Sequence, residues 1–549
     1  MDGHRLLSLA AIALSFNAIA IPCFAQNTEL TSSDNHALLY AHQLGFSSSG
    51  TPTVRMRIAD GMSKLRFEPQ GDFVVMPSGT GGCAIKLKGG RSYEVTLTDA
   101  RPGTYQYGGI VARSESTDAL NLHKNRCSDS QIDTEIVPIG SVFALKGHVF
   151  DNRENLLMTR RTDNKRVTET QLAKAPLDAS VDSAELYSEL MTYPTAKITL
   201  RDQNDNIQIV HSNLMWIDLP ESGAILYDIE DESGKRNELR LNSQLIVTPD
   251  QTGKLAVVQS ADIETILRGI VPAEIFASAP EAALMAQAIA ARTTLISQVG
   301  TRHMSDPYHL CNKQHCQVYR GLSGADERTD KAIEKTRGQI LFSDKKLVQS
   351  YYSAHCGGMS AGSHETWGLP DKNYLVSRSD DAHETRTTFK NDNDFKKWWL
   401  QNDSNYCSSA PEGQKSFAST KHARWEQTLS SSQLDDLANQ SGNKIGHVQS
   451  IEVMERGASF RATKLRVKGT NGTVVIEREL PIRRFLGGLK SARFIIEKTS
   501  EGGIHIYGTG FGHGVGMCQT GAIGMAQRGM NANQILEHYF PGSRIETLW

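Results

Sequence analysis

"DIETILRGIVPAEIFASAPEAALMAQAIAARTTLISQVG", Asp262–Gly300, is where this 549-residue chain turns from strand-like to helical patterning. The spacing predicts a helix from Asp262 to about Ile270, broken at Pro272, because proline cannot donate the helical N–H and crowds the preceding turn. A second helix is expected to open at Ser278, with Glu281 three residues on completing a capping box. Leu284, Ala288, Ala291, Leu295 and Val299 recur at helical spacing, so this second helix presents an apolar stripe to a core. Glu274 falls in the kink, flanked by Val271, Ala273, Ile275 and Phe276. A carboxylate there is either exposed on a turn or held in a partly apolar cleft, and only the cleft suits a general acid.

Upstream, period-two alternation dominates. Val54, Met56 and Ile58 share a face, as do Tyr93, Val95 and Leu97, and strand-like runs return at "AKITL", "IQIV", "GAILYDI" and "KLAVV". The polar run from 159 to 183 lacks periodicity and marks a boundary or exposed loop. The fold class expected is therefore α+β: a β-rich accessory region over 26–160, a linker and β-rich segment over 161–254, and a mixed helical and β region with a cleft over 255–549. Residues 1–25 read as an export signal, with Arg5 ahead of an apolar run and small residues before a cut after Ala25. A membrane anchor would need a longer apolar run, and Pro22 stands against a lipoprotein signal at Cys23. The mature chain is expected to be exported, periplasmic or wall-associated, without a transmembrane segment. A net charge of −2 supplies no field for nucleic acid.

Downstream, several blocks carry chemistry. "GTGFGHGVGMCQTGA", Gly508–Ala522, sets six glycines around His513. It fits neither the dinucleotide fingerprint nor the phosphate-binding loop, which excludes those two nucleotide sites. "HLCNKQHCQVYRG" brings together His309, Cys311, His315 and Cys316, which suit a zinc site or a local disulfide, export favouring the disulfide. "SYYSAHCGGMSAGSHETWG" contains His364 and Glu365 but lacks the second histidine of the helical zinc-protease motif. Asn471-Gly472 between alternating runs signals a hairpin. Loss of the signal leaves seven cysteines, an odd number; Cys83 with Cys127 and Cys356 with Cys407 are the pairings considered, and Cys518 is the leading unpaired thiol.

Taken in order, "ILRGIVPAEI…PEAALMAQAIAARTTL", "HCQVYRG", "TRGQILFSDKKLVQSYYSAHCGGMSAGSHETW" and the glycine-rich C-terminal block resemble the stage II sporulation protein D (SpoIID) family, which includes the amidase-enhancer (LytB) proteins of bacterial cell walls. The resemblance covers about residues 255–549. It implies a peptidoglycan lytic transglycosylase cutting glycan strands, including strands stripped of peptide, with Glu274 as the catalytic acid. It places a substrate or structural contact on Arg292. The family's cysteine pair, a zinc site in some members, falls on Cys311 and Cys316 with His309 as third ligand. No cofactor is implied for catalysis; a structural zinc is the alternative to a Cys311–Cys316 disulfide. Substrate contacts are expected from Gln317, from Ser353, His355, Gly357 and Gly358, and from His513 and Gln519, with Glu365 the second carboxylate. This chain departs from the family pattern at Ile275-Phe276, Met285 and Cys518.

One carboxylate suffices for such an enzyme. Ordinary glycosidases use two, whereas here the muramic acid C6 hydroxyl attacks the anomeric carbon and closes a 1,6-anhydro ring. Two other functions compete. A non-catalytic wall-binding protein would hold glycan in the same cleft and stimulate a cell-wall amidase. A zinc hydrolase centred on His309, Cys311, His315 and Cys316 ranks last, since two thiolates usually mark a structural site.

Overall fold

The computed structural model describes residues 19–20 and 32–549 apart from 77–83, 115–116, 140–141, 146–147, 152–153, 160, 173–184, 205–206, 232, 369–371, 382–388, 402–404, 409–419 and 443. The expected export signal, apart from 19–20, and Cys83 therefore lie outside the described residues. The chain divides into two compact units that interleave in sequence: one takes 1–39, 57–103 and 193–260, the other 40–56, 104–192 and 261–549. The boundary drawn at 254 lies close to the unit break at 260, whereas the region before it is divided differently, because strands from 64–101 pair with strands from 195–241. Sequence periodicity identifies strands but does not say which distant strand each one pairs with.

The first unit contains an antiparallel sheet ordered Gln208–Ser212, Thr195–Asp202, Tyr93–Arg101, Lys64–Pro69, Ala224–Glu230 and Arg236–Leu241. A second run pairs Phe73–Met76, Met215–Asp218, Gln244–Pro249 and Leu255–Asp262. Phe67 and Tyr93 of the first sheet meet Phe73 of the second, with ring centroids 5.9 and 4.9 Å away. All three rings are buried, which joins the two sheets face to face over an aromatic core.

The second unit carries the two helices read from the opening stretch. The first spans Ile263–Glu274 and runs through Pro272 rather than stopping before it. Only two residues follow the proline, so a single late hydrogen bond is forgone. Asp262 caps the start, its carboxylate accepting from Thr265 N–H at 2.9 Å. The second helix is Glu281–Gln298 and opens behind Pro280, not Ser278. Pro280 fixes φ at −57° and its carbonyl takes the N–H groups of Ala283 and Leu284, so the first turn closes without a side-chain cap. Leu284, Ala288, Ala291, Leu295 and Val299 are all buried, as their spacing requires.

Arg292 locks these helices together. Its guanidinium is fully buried and donates to both oxygens of Glu264, at 3.0 and 2.6 Å, and to the carbonyl of Gln339 at 3.1 Å. Glu264 also accepts from Gly338 N–H at 3.1 Å and from the Trp549 indole at 2.9 Å. The pair is thus hydrogen-bonded on all sides, the condition under which a buried ion pair is tolerated.

Elsewhere in this unit, Thr104–Ser114 pairs with Glu154–Thr159 and Glu185–Thr192. The helix Thr117–Asp129 seals that sheet with Leu120 and Cys127. The polar run after 159 contains a helix, Lys165–Leu172, where a loop was expected; Asn164 caps it through Arg166 N–H at 3.0 Å. The hairpin at Asn471 forms between Ala462–Gly469 and Gly472–Glu477, its turn being Thr470-Asn471, one residue earlier than the Asn-Gly signal places it.

Arg292→Ala would strand the Glu264 carboxylate without its cation. Guanidinium unfolding of the full chain should show a loss of about 3–5 kcal/mol in this unit.

Candidate site at Glu274

Glu274 is the last residue of its helix, and Ile275 leaves in extended geometry with φ −130° and ψ 148°. The side chain is half-buried, and its Oε1 accepts the backbone N–H of Val318 at 3.2 Å. The neighbouring Gln317 is buried; it accepts the Tyr352 hydroxyl at 2.8 Å and donates to the carbonyl of Ala291 at 3.3 Å. Burial, aided by the charge of Glu274, pushes the Tyr352 phenol well above its ordinary value, so it remains a hydrogen-bond donor. Tyr352 and Ser353 form a short parallel ladder with Met517 and Cys518. That register delivers Gln519, whose amide donates to the carbonyl of Glu274 at 2.9 Å and to Gln287 Oε1 at 3.2 Å. Three distant blocks of sequence therefore meet around Glu274, the segment at Val318 bonding its carboxyl and Gln519 its backbone carbonyl.

The other expected contacts are placed differently. Arg292 spends its guanidinium on Glu264 and adjacent carbonyls, the structural alternative of the two roles expected for it. Glu365 has both oxygens engaged: Oε1 accepts Gly362 N–H at 2.8 Å and Oε2 accepts Ser459 N–H at 3.0 Å, closing the helix Ser363–Trp367. His355 is buried, exchanges backbone hydrogen bonds with Phe511, and accepts Gly357 N–H on Nδ1 at 3.0 Å. Gly357 and Gly358 both take positive φ, at 77° and 89°, which turns the chain back toward Arg493 and Asp380. Ser353 is buried, its hydroxyl enclosed.

The glycines of 508–522 read as space for a ligand, but protein atoms fill that space. A Cβ on Gly514 would strike the Arg461 guanidinium, and one on Gly516 would strike the carbonyl of Tyr351. His513 lies against Trp367 and Tyr351, with ring centroids 5.1 and 6.4 Å away, and its Nδ1 accepts Val515 N–H at 3.0 Å. These glycines are bare because neighbouring protein atoms pack against them, while His513 itself is half-buried.

Comparison with known proteins adds the family. Residues 251–342 match the family model described as stage II sporulation protein, and residues 361–516 match a domain of unknown function. The chain carries a stage II sporulation protein domain. It is 29% identical to the amidase enhancer of Bacillus subtilis over 298 residues, 51% of this chain and 40% of that protein. It is 26% identical to stage II sporulation protein D of Bacillus amyloliquefaciens over 308 residues, 52% of this chain and 75% of that protein. An uncharacterized protein of Brachyspira hyodysenteriae is 26% identical over 347 residues, 62% of this chain and 82% of that one. The resemblance seen in the ordered blocks is borne out. Glu274 and Gln317 fall inside the stage II sporulation protein domain, whereas Tyr352 and Gln519 lie outside both matched segments.

The same domain contains a compact donor set. His303, Cys311, His315 and Cys316 each offer one ligand atom, all within 4.8 Å of one another. Cys316 Sγ lies 3.4 Å from His303 Nε2 and 3.6 Å from His315 Nδ1. Both cysteines are free thiols, not a disulfide. His309 is not part of the set: its Nε2 lies 2.8 Å from the Arg55 guanidinium, and burial with that cation holds it well below the ordinary histidine range. His303 replaces it, with Asp306 at 2.9 Å on Nδ1 leaving Nε2 facing the sulfurs. This carboxylate–histidine arrangement is the usual orienting pair behind a zinc ligand. Two thiols and two imidazoles suit a closed tetrahedral zinc site. His303 lies six residues before "HLC", beyond the spacing by which the cysteine pair was read.

His513 supplies a pH signature. Burial, with the charges of Arg461 and Arg483, lowers it from 6.5 to about 4, so the folded chain keeps it neutral where the unfolded chain would protonate it. Its contribution is complete above pH 6.5 and is lost as pH falls toward 4. Thermal midpoints taken from pH 8 to 4 should decline across that window, and His513→Gln should flatten the decline.

Proposed function

We propose that this chain is an exported peptidoglycan lytic transglycosylase that cleaves the bond between N-acetylmuramic acid and N-acetylglucosamine, with Glu274 as its single acid and base. One observation carries this reading. Glu274 is a half-exposed carboxyl held by Val318 and, through its carbonyl, by Gln519, while Glu365, the second carboxylate of the sequence, has its oxygens spent on backbone N–H groups. A lone positioned carboxyl fits a reaction in which the substrate supplies its own nucleophile.

Glu274 in its acid form donates its proton to the glycosidic oxygen as the bond to the muramic acid C1 breaks. The resulting carboxylate then removes the proton of the C6 hydroxyl as that oxygen bonds to C1, giving a 1,6-anhydro end. Both stages find support in the position of the residue. Its place at the end of the helix leaves the carboxyl half-exposed, within reach of a bound sugar. The Val318 N–H serves the carboxylate once it forms. Phe276, two residues beyond Glu274 and 65% exposed, offers an aromatic face to a sugar ring.

Substrate is taken to be peptidoglycan glycan, including strands stripped of peptide. Export agrees with the signal read over 1–25, and no helix of the described residues is long and apolar enough to cross a membrane. His303, Cys311, His315 and Cys316 hold a structural zinc in this reading; it stabilises the segment that leads to Gln317 and Val318 and takes no part in proton transfer. A second reading, a glycan-binding stimulator of a wall amidase, rests on the relative named amidase enhancer.

Incubation with purified glycan strands followed by mass spectrometry should detect 1,6-anhydro products. Glu274→Gln should lower their formation by about 10²–10⁴-fold, the usual contribution of a general acid–base, while sugar binding persists. Equal product from wild type and Glu274→Gln would exclude the enzymatic reading, and binding without product would favour the stimulator. For the zinc, His303→Ala should lose one metal equivalent by elemental analysis, whereas His309→Gln should keep it.

A further inference from the structure

A second cluster of soft ligands lies apart from the set at Cys311 and Cys316. Cys356, Asp380, Cys407 and Cys518 come from four separate points in the sequence and are all buried, none more than 1% exposed. One ligand atom from each falls within 4.8 Å of the other three. The Sγ atoms of Cys356 and Cys407 are 3.7 Å apart. A disulfide requires about 2.05 Å, whereas two sulfurs on a tetrahedral zinc at about 2.3 Å from the metal stand roughly 3.8 Å from each other. The Cys356–Cys407 pairing considered from sequence is therefore replaced by free thiols at metal-site spacing.

The surroundings are those of a thiolate site. Cys518 Sγ accepts backbone N–H groups from Cys356 at 3.1 Å and Gly521 at 3.3 Å. It also caps the helix Gln519–Gln527, where the helix dipole favours an anionic sulfur. Asp380 is oriented from both sides: Oδ2 accepts Cys407 N–H at 2.8 Å and Oδ1 accepts the Tyr539 hydroxyl at 2.5 Å. Such outer partners fix ligand direction around a metal. The buried Arg461 directs its guanidinium to the carbonyls of Cys356 and Met359, at 2.8 and 3.1 Å, not to the sulfurs. Binding of a metal ion releases the thiol protons, and three thiolates with a carboxylate then face the cation that balances them.

We propose that Cys356, Cys407, Cys518 and Asp380 bind a second zinc ion. Three sulfurs and one oxygen in a closed, buried site select a borderline-soft tetrahedral metal and leave no position open for substrate, so its role is structural. The ion ties the "HCGG" turn, the segments at Asp380 and Cys407, and the start of the helix Gln519–Gln527 into one knot. Cys518 directly precedes Gln519, whose amide holds the carbonyl of Glu274, so this clasp positions one wall of the candidate site.

The test is metal stoichiometry on the full chain. In Cys311→Ser/Cys316→Ser protein, which removes the other thiol pair, elemental analysis should still find one zinc per chain. Cobalt substitution of that protein should give intense sulfur-to-cobalt absorption and the visible bands of a tetrahedral ion. Because cysteine variants can misfold, Asp380→Asn and Cys407→Ser are made singly in the otherwise unaltered chain, with near-ultraviolet circular dichroism as a check on packing. Loss of one zinc equivalent from a variant that keeps its native spectrum supports the site. No zinc in Cys311→Ser/Cys316→Ser protein with a native spectrum, or a Cys356–Cys407 disulfide in non-reduced peptide maps of the wild type, would overturn it.

Discussion

The bidentate pair between Arg292 and Glu264 is the constraint on which the helical unit rests. It fixes the spacing and rotation of two helices, the first burying Ile266, Leu267 and Ile270 and the second a run of alanines. Glu264 lies near the start of the helix that ends in Glu274, so anchoring its first turn sets where its last turn emerges. By also binding Gly338 N–H and Trp549, Glu264 gathers the turn before the strand Gln339–Ser343 and the end of the described chain around the same point. A lysine could not serve here, since it lacks the planar fork that satisfies two carboxylate oxygens and a carbonyl together.

How much of this could be read beforehand differs between elements. The second helix and its buried stripe follow from periodicity, as do the strands at 93–101, 195–202 and 224–230. Pairing between strands about a hundred residues apart leaves no local trace, and the interleaving of the two units followed from that pairing alone. Helix ends were misjudged at two points: Pro272, read as a break, is tolerated because so little helix remains after it, and the second helix opens behind Pro280 and not at Ser278.

The site was legible where chemistry and block order coincided. Glu274, Gln317 and Gln519 were singled out and the structure does bring them together, though Gln519 acts on the backbone of Glu274. Tyr352 and Gln287 were missed. Gln287 left a signal, an amide set among the alanines of a helix, which burial makes costly unless it is paired. Conversely, His513 and the glycines around it drew attention through composition, and composition cannot distinguish a backbone cleared for a ligand from one cleared for a neighbouring arginine. His309 and His303 differ only in distance from the cysteines along the chain, and it is the fold that brings the farther one near.

The interleaved arrangement of the two units bears on the order in which the chain can acquire structure. Tyr93–Arg101 has its partner at Thr195–Asp202, and Lys64–Pro69 has its partner at Ala224–Glu230. During synthesis, the early strands must wait for about a hundred residues or more before their neighbours exist, and those non-local closures are intrinsically slow. A nascent chain therefore carries unpaired strand edges through much of its elongation, a state that invites chaperone binding. The first unit becomes complete only when residue 260 is available, which is immediately before the helix that carries Glu274 begins.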